Sequence, residues 1–595
     1  MDNDQAGNTP VDNDPMDKAR VAAILDDVGD LMELRGDNPF EARAYHNAAR
    51  AVGGLDGDLA EMVSSGAIEH VPGLGKTLAK RVAELVTTGH LAIHDDLLAE
   101  IPAGLRAMLR IPGLGPKRVR QIHDTLAITT LDDLKAAAEG DRIAGLPGFG
   151  KKSQENILKG LAFLSEHLDH YLFPVAEADA EAIAGALRAL PQVVRLSIAG
   201  SLRRRKEIVK DVDMVASVAA DADRQAVMGA LVALPQVADV IGRGETKTSV
   251  ILRAGMAMDF RLVTDDEFPY ALHHFSGSKD HNVALRTRAH AQGIKINEYG
   301  LFRGEERIPA KDEREFYAAL GMAYVEPEMR EDRGEIELAL KGELPTLVTD
   351  ADLRGILHVH STWSDGQVSI REMAEAAMAL GATYLGICDH SQVAAYAGGL
   401  NPAAVRRQHD EIDQLNADFG ARFRILKGTE CDILKDGQLD YDDATLATFD
   451  FVVASIHSHF QLAPAEQTQR LMRALDNPYT SILGHPTGRL LLQRDGYAPD
   501  LEAVIDHAGT LGVAIELNCD PHRAELDWRL HRRAVERGIL IPIDPDAHSP
   551  AGLGNIRYGV GLARKGWLTA ADVLNTRPVE DLVAFFAAQR QRRGV

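Results

Sequence analysis

The chain has 595 residues and a mass of 64.6 kDa, with a hydrophobic fraction of 45% and a charged fraction of 26%. This length predicts about three or four domains, and the composition excludes a fibrous, wholly disordered or membrane-embedded protein. The 65 Lys and Arg residues against 88 Asp and Glu residues give a net charge of −23, which by itself argues against a nucleic-acid partner, because phosphate binding depends on cationic patches.

The first 16 residues are polar and lack a periodic apolar pattern, so we expect a disordered tail. They contain no apolar signal segment, and no apolar run in the chain approaches the roughly 18 residues of a membrane span. The three cysteines, Cys388, Cys431 and Cys519, are too few for a disulfide framework and suit a reducing compartment. We therefore expect a cytoplasmic protein with no membrane partner.

A repeated turn marks the helical first quarter of the chain. It occurs at Val71–Val82, Ile111–Ile122 and Leu146–Ile157, each time as an apolar residue, Pro, Gly, an apolar residue and Gly, followed by cations that open a helix. Two glycines permit a tight turn whose exposed N–H groups, together with a helix N-terminus, can bind phosphate. One copy would fit an ordinary glycine-rich turn, but three copies with a lysine beside each turn resemble the helix-hairpin-helix motif. That resemblance implies DNA-backbone contacts at Gly73, Gly75, Gly113, Gly115, Gly148 and Gly150.

Strand-like runs follow, and three of their aspartates predict a metal site. Asp211 and Asp213 are two residues apart and therefore share one face of a strand. Asp259 lies in the apolar run MAMDFRLV, where an acidic residue is costly unless it meets a cation. Three convergent carboxylates would suit two Mg²⁺ or Mn²⁺ ions in phosphoryl transfer, although the DVD spacing alone also fits solvated strand-end aspartates.

A larger pattern removes that ambiguity. The GSLRR segment that starts at Gly200, the DVD segment, the lone Asp259 and the run HHFSGSKDHNVALR at His273–Arg286 together resemble the family X DNA polymerases, the polymerase-beta-like enzymes of gap repair. The resemblance runs from about Ala19 to Tyr317. It implies that Asp211, Asp213 and Asp259 hold the catalytic metals, with Asp259 placed to deprotonate the primer 3′-hydroxyl. The residues implied to bind the incoming dNTP and the nascent pair are Gly200, Ser201, Arg204, Gly277, Asn282 and Arg286.

The chain departs from that family pattern at two positions. Arg81 stands where family members that excise a 5′-deoxyribose phosphate have a Schiff-base lysine. Arginine stays protonated and cannot form the imine, so we expect a lyase step only if Lys80 substitutes. His274 replaces the tyrosine that many members place beside the sugar, which leaves ribose discrimination open.

From Asp352 onward, strand-like runs alternate with helical stretches, and six runs end in metal-ligand residues. The six are GILHVHS, YLGICDHS, RFRILKGTE, FVVASIHSH, SILGHP and LIPIDPDAH, while a seventh, VAIELN, ends in Asn. In a βα barrel the carboxyl ends of the strands meet at one mouth. Imidazole and carboxylate without thiolate suit Zn²⁺, Mn²⁺ or Fe²⁺. The candidate ligands are His358, His360, Asp365, His390, Glu430, His457, His485, Asp546 and His548.

These residues match the motifs of the polymerase and histidinol phosphatase (PHP) domain, which implies a distorted (β/α)7 barrel with three metals. By this resemblance one metal takes His358, His360, Glu430 and Asp546, Glu430 bridges to a second with His457 and His485, and Asp365, His390 and His548 hold the third. Arg523 is a candidate for holding substrate phosphate, with a surface ion pair as its alternative.

Taken together, the chain resembles the bacterial and archaeal PolX proteins, multidomain α+β and α/β enzymes. The resemblance implies a nucleoid-associated monomer that binds nicked or gapped DNA and fills short gaps with dNTPs. It also implies a metal-dependent 3′–5′ exonuclease, to which an abasic-site endonuclease or 3′-phosphatase activity could be added. The alternatives are a small-molecule PHP phosphoesterase and a non-catalytic scaffold that binds DNA ends. The predicted domains are a disordered tail over 1–16, a helical DNA-binding domain over 17–95, a helix-hairpin-helix fingers-like region over 96–168, a nucleotidyltransferase palm over 169–263, a thumb-like region over 264–330, a linker over 331–351 and the PHP domain over 352–595.

Overall fold

The computed structural model divides into two compact units, Met1–Leu168 and Asp169–Val595. The residues that it describes are 18–53, 55, 59–71, 74–111, 113–167 and 169–595. The predicted disordered tail over 1–16 lies outside them. Over these described ranges, no helix is both long enough and apolar enough to cross a membrane.

The first unit is helical, as the spacing of its apolar residues predicts. In the first helix Val21, Leu25, Val28 and Leu31 fall on one stripe and are fully buried. Short helices and tight turns follow, with Gly89 at a φ of 76° ending the fourth helix in the left-handed conformation that glycine adopts freely. The helices are α1 (Lys18–Arg35), α2 (Pro39–Gly53), α3 (Leu59–Ser64), α4 (Lys76–Thr88), α5 (Ala92–Glu100), α6 (Ala103–Met108), α7 (Pro116–Leu126), α8 (Leu131–Glu139) and α9 (Lys151–His167).

The second unit begins with a sheet of five strands in the order β2-β4-β7-β6-β5. Val212 and Met214 are buried on the face that packs against α10 and α12, so the intervening Asp213 points to the opposite face. The elements are β1 (Tyr171–Leu172), α10 (Phe173–Arg188), β2 (Val193–Ile198), α11 (Gly200–Arg203), β3 (Ile208–Val209), β4 (Asp211–Val218), α12 (Arg224–Val232), β5 (Val237–Arg243), β6 (Lys247–Leu252) and β7 (Ala257–Thr264).

A mixed region follows the sheet and leads into the stretch predicted as a linker. Residues 331–351 include a helix, and Leu347 and Val348 are buried in hydrophobic clusters. The Val348 N–H also donates to the Leu568 carbonyl at 2.9 Å. The elements are α13 (Phe268–Ser276), α14 (Lys279–Ala291), β8 (Ile294–Asn297), β9 (Gly300–Arg303), β10 (Glu306–Ile308), α15 (Glu313–Ala319) and α16 (Glu335–Lys341).

The C-terminal part is a parallel barrel built from the seven predicted runs, which confirms the predicted fold class. Six strands pair in chain order from β11 to β16, and the run VAIELN supplies both β16 and β17. The final run closes on the first through a parallel bridge between Val359 and Ala547. The strands are β11 (Gly355–Val359), β12 (Tyr384–Ile387), β13 (Arg424–Asp432), β14 (Phe451–Ser455), β15 (Ile482–Leu483), β16 (Ala514–Ile515), β17 (Leu517–Asn518) and β18 (Ile543–Asp544).

Helices alternate with these strands and cover the barrel. Because both faces of the sheet are covered, strands β11, β12 and β14 are buried along their whole length and read as continuous apolar runs. The helices are α17 (Ile370–Ala379), α18 (Pro402–Phe419), α19 (Asp443–Leu446), α20 (Pro464–Asp476), α21 (Leu501–Leu511), α22 (His531–Glu536), α23 (Ile556–Lys565) and α24 (Val579–Arg592).

Candidate active sites

The three aspartates predicted to bind metal lie on two adjacent strands. β4 and β7 pair in parallel, and the register sets Asp213 directly opposite Asp259. Asp211 lies two residues before Asp213 and therefore shares its face. Gly200, at a φ of 62°, lies so close that a Cβ atom there would be 2.3 Å from Asp213 Oδ2. The aspartates thus converge against a turn that only glycine can form.

This convergence raises the proton affinity of two of the carboxylates. Burial raises the pKa of Asp213 to about 7, and the charges of Asp211 and Asp259 add to the effect. Burial and the charge of Asp259 also raise the pKa of Asp211. Crowded, partly buried carboxylates of this kind are unfavourable when ionised without a cation. The arrangement therefore fits a site for divalent metal ions.

Asp259 differs from the other two because it has partners on strand β6. Ser249 Oγ donates to one of its oxygens at 2.5 Å, and Lys247 Nζ lies 2.7 Å from the other. Burial works to raise the pKa of Asp259, but these two contacts outweigh it and lower the pKa. Neither partner was identified from the sequence, where the alternation in KTSVIL places Lys247 and Ser249 on one face of a strand.

The two arginines after Gly200 and Ser201 have different surroundings. Arg203 forms an ion pair with Glu313 at 2.5 Å, and Glu313 also pairs with the fully buried Arg330 at 2.6 Å. Arg204 instead donates to the Ser276 carbonyl, and its Nε lies 3.1 Å from Glu331 Oε1. Both arginines contact Ser276, since Arg203 Nη1 donates to Ser276 Oγ at 2.5 Å. Arg204 also lies against Gly277, where a Cβ atom would be 3.1 Å from its Nη1.

The remaining predicted nucleotide contacts lie where α13 ends and α14 begins. Asn282 Nδ2 donates to the His274 carbonyl at 2.8 Å. Asn282 Oδ1 is buried and has no hydrogen-bond partner in the described chain, so it is an acceptor free for a ligand. Arg286 Nε donates to the Asn282 carbonyl at 3.0 Å. The structure thus brings Arg204, Gly277 and Asn282 together around one turn.

The repeated turns of the first unit leave open space beside their glycines. Gly113 and Gly148 have φ angles of 82° and 76°, which exclude most other residues. At each described glycine of the three turns, a Cβ atom would meet no other described atom within 4 Å, as would suit close approach of a backbone phosphate. Gly73 lies outside the described residues. The described glycines are Gly75, Gly113, Gly115, Gly148 and Gly150.

The nine predicted ligands of the C-terminal barrel meet at its mouth around the buried Glu430. His485 Nε2 and His457 Nε2 lie 2.7 Å and 3.1 Å from Glu430 Oε1, and His390 Nδ1 lies 3.0 Å from Oε2. Atoms within 4.8 Å of one another define three groups of these residues. The groups are His358, His360 and Asp546; His390, Glu430 and His457; and His360, Asp365, His390 and His548.

Buried histidine nitrogens that lack hydrogen bonds make the cluster suitable for divalent metal ions. His358 Nε2 and both ring nitrogens of His360 are buried without a hydrogen-bond partner among the described residues, and His390 Nδ1 lies 3.0 Å from Glu430 Oε2 without the angles of a hydrogen bond. Such nitrogens are costly unless they bind a cation or proton. His358 and Asp546 also have left-handed backbones, with φ angles of 54° and 51°, a strain that is typical of functional positions. Burial opposes charge on His457, but Glu430 raises its pKa to about 10.

Several residues support the ligands, and of these only Arg523 was identified from the sequence. Glu516 accepts a hydrogen bond from His358 Nδ1 and therefore orients that ring, and Asp544 lies in the same buried group. Asn518 Nδ2 donates to Asp546 Oδ2 at 3.0 Å. Arg523 Nε lies 3.3 Å from the same oxygen with the side chain only 19% exposed, so Arg523 belongs to the cluster and not to a surface ion pair.

Comparisons with known proteins match the chain in four places. Residues 271–331 match the DNA polymerase beta thumb, 16–91 a helix-hairpin-helix domain, 105–162 a SAM-like helix-hairpin-helix tandem and 357–519 the PHP domain. The chain is 41% identical over 574 residues to the DNA polymerase/3′-5′ exonuclease PolX of Bacillus subtilis, an alignment that covers 96% of this chain and 99% of the relative.

Two further relatives match single parts of the chain. A repair DNA polymerase X of African swine fever virus is 29% identical over 136 residues, which are 22% of this chain and 78% of the viral protein. A probable phosphatase of Syntrophotalea carbinolica is 33% identical over 177 residues, which are 29% of this chain and 67% of that protein.

Proposed function

The chain belongs to the bacterial family X DNA polymerases that carry a C-terminal PHP domain, as its sequence predicts, and from this premise we propose that it fills short gaps in damaged DNA and trims 3′ ends. The observation that carries the proposal is the presence of two separate carboxylate-rich centres in one chain. One lies on strands β4 and β7, and the other lies at the mouth of the barrel.

In the polymerase half, each proposed role follows from the surroundings of a residue. Two Mg²⁺ or Mn²⁺ ions would be held by Asp211, Asp213 and Asp259. When bound, such ions activate the primer oxygen and neutralise the charge on the leaving phosphate. Asp259, with its lowered pKa, is ionised at neutral pH and can accept the proton of the primer 3′-hydroxyl. Ser201 and Arg204 would bind the dNTP triphosphate.

Beyond the triphosphate, the proposed contacts hold the sugar and the nascent pair. The backbone at Gly277 would approach the sugar, and a Cβ atom there would lie 3.1 Å from Arg204 Nη1, a tight contact with the proposed triphosphate ligand. The free Asn282 Oδ1 and the guanidinium of Arg286 face the minor groove of the nascent pair. These roles are carried over from the family, and the unpartnered Asn282 Oδ1 is the feature of this chain that supports them most directly.

In the exonuclease half, the nine barrel ligands would hold three divalent metals of the Zn²⁺, Mn²⁺ or Fe²⁺ class. Metals in such a centre activate water and neutralise the charge that develops on the phosphate. Glu430 lies within reach of five of the histidine rings and would bridge two of the metals. Arg523 is positioned beside Asp546 to hold the substrate phosphate.

The preferred DNA is proposed to be nicked or gapped duplex, bound by a monomer at the nucleoid of the cytoplasm. The hairpin turns can bind backbone phosphates without reading sequence, which suits damage at any position. With a net charge of −23, the protein should bind DNA with modest affinity and a strong dependence on salt and divalent metal.

The proposal is tested with a 5′-labelled primer in a gapped duplex, incubated with and without dNTPs in Mg²⁺ or Mn²⁺. We expect extension that stops when the gap is filled, and stepwise shortening of the primer when dNTPs are omitted. Shortening from the 5′ side, or extension without any shortening in either metal, would contradict the exonuclease assignment.

A second candidate, a PHP phosphomonoesterase, is favoured by the similarity to a probable phosphatase. It predicts that a 3′-phosphate or a free small-molecule phosphate is hydrolysed faster than an internal phosphodiester. Turnover of p-nitrophenyl phosphate and of a primer with a 3′-phosphate, compared with the 3′-hydroxyl primer, separates the two candidates. We expect the 3′-hydroxyl primer to be shortened faster than either phosphomonoester is hydrolysed, and the reverse order would favour the phosphomonoesterase.

A further inference from the structure

A lysine of the barrel is buried beside the polymerase centre. Lys565 ends helix α23, and its side chain is fully buried although it carries a charge. Its Nζ lies 2.5 Å from Glu331 Oε1 and 3.0 Å from the carbonyl oxygen of Arg204. The lysine thus reaches from the C-terminal barrel to the turn that carries the proposed triphosphate ligand.

Glu331 connects the two cations. The oxygen that contacts Lys565 Nζ also lies 3.1 Å from Arg204 Nε. Both carboxylate contacts are largely buried, since the side chains of Arg204 and Glu331 are each 11% exposed. Charges are weakly screened in such surroundings, so the removal of one partner changes the interaction between the other two.

The contacts around Lys565 fix it in this place. Its Nζ lies 4.5 Å from the centre of the Trp528 ring, and Trp528 Nε1 donates to Glu207 Oε2 at 3.1 Å. Burial lowers the pKa of Lys565 to about 8 although Glu331 acts in the opposite direction. Burial of a charged lysine destabilises the fold, which suggests that the charge of Lys565 has a functional use.

The charge balance around Arg204 suggests what that use is. A dNTP triphosphate is strongly negative and must approach a guanidinium that already contacts a carboxylate. With Lys565 present, the charge of Glu331 is balanced by Lys565 and Arg204, which it contacts directly, with a further contribution from the charge of Lys206. Without Lys565, more of the negative charge of Glu331 would act on Arg204, which would hold the guanidinium at the carboxylate and repel the triphosphate.

We propose that Lys565 is a positioning residue through which the C-terminal domain sets the dNTP affinity of the polymerase centre, by neutralising Glu331 so that Arg204 stays available to the triphosphate. This inference rests on the proposed role of Arg204. A residue of the C-terminal barrel would then contribute to the polymerase site, in addition to the proposed exonuclease activity of the barrel.

The test compares steady-state gap filling by the full-length wild type and K565M. We expect the KM for dNTP to rise roughly tenfold or more, with a smaller change in kcat, because a buried charge partner has been lost. The 3′–5′ exonuclease rate and the affinity for gapped DNA should stay at the wild-type level. K435M removes an exposed lysine of the same barrel and should leave the KM unchanged.

A double variant separates charge from structure. In E331Q/K565M the carboxylate is neutral, so the KM for dNTP should return toward the wild-type value, a rescue that a merely structural role of Lys565 would not produce. K565Q keeps a hydrogen-bond donor without the charge, and it should raise the KM as K565M does; it replaces K565M if that variant does not fold.

Two outcomes would overturn the inference in distinguishable ways. If R204A leaves the KM for dNTP unchanged, the proposed role of Arg204 fails and the inference fails with it. If R204A raises the KM while K565M or K565Q does not, or if E331Q/K565M is no better than K565M, the role of Arg204 stands and the positioning role of Lys565 is wrong.

Discussion

Replacement of Asp213 by Asn should stabilise the metal-free protein while it abolishes nucleotide incorporation. Asp213 lies opposite Asp259 on the neighbouring strand, with Asp211 on the same face. Without metal, its ionised form is unfavourable because of burial and of these two charges, so its pKa is raised to about 7. Asparagine has nearly the same shape and removes the charge.

The size of the effect follows from the pKa. The pKa of Asp213 is about 3.9 in the unfolded chain and about 7 in the folded protein. Each pKa unit, a tenfold change in proton affinity, corresponds to about 1.4 kcal/mol. A raised pKa in the folded state means that the destabilisation is absent below pH 4, grows as the pH rises to 7 and is constant above it. We expect the free energy of unfolding of D213N to exceed that of the wild type by roughly 2 to 4 kcal/mol at pH 8. About 4 kcal/mol is the upper limit because neighbouring carboxylates share the effect.

Hydrogen exchange of the amides in strand β4, followed by mass spectrometry in EDTA, measures this local stability. Protection of D213N should exceed that of the wild type at pH 8 and equal it at pH 4. Saturating Mg²⁺ should protect the wild type but not D213N, because only the wild type retains the full ligand set. D239N changes an exposed aspartate of β5 and should have no effect. Lower protection of D213N than of the wild type at pH 8 would refute the reasoning.

Three further predictions concern the barrel and the hairpins. E516Q should lower the metal affinity and the exonuclease rate about 10- to 100-fold, because His358 loses the partner that orients its ring. Full metal content by mass spectrometry together with full exonuclease activity would contradict this. R523Q should slow phosphodiester cleavage by roughly 100- to 1,000-fold at unchanged metal content; loss of metal would instead assign Arg523 to the support of Asp546. K152A should weaken DNA binding equally for all sequences and reduce the slope of log affinity against log salt by about 0.9 in fluorescence anisotropy, and an unchanged slope would argue against a phosphate contact.

Much of the fold could be predicted because the decisive patterns are local. The i, i+2 spacing of Asp211 and Asp213 follows directly from strand geometry. The barrel ligands stand at the ends of successive apolar runs, and parallel strands bring those ends to one mouth. Helical spacing likewise predicted the first unit. Net charge was the poorest guide, because a sum over the chain shows neither the cations beside the hairpin turns nor the carboxylates of the proposed metal centres.

What could not be predicted depends on packing between distant segments. Glu516 lies inside the run VAIELN, and only the closed barrel shows that it contacts His358. Family resemblance selected Arg204, but the sequence does not show that Arg203 and Arg204 have different partners, since Glu313 and Glu331 are more than 100 residues away. The contact between Lys565 and Glu331 spans 234 residues and depends on how the barrel packs.

The most direct test of two independent centres in one chain is a single gel that compares the wild type, D211A and E430Q on a 5′-labelled gapped duplex in Mn²⁺. D211A should fail to extend the primer and still shorten it from the 3′ end, whereas E430Q should extend it and not shorten it. Loss of both activities in either variant, while its affinity for the gapped duplex is unchanged, would contradict the division of the two reactions between the palm and the barrel.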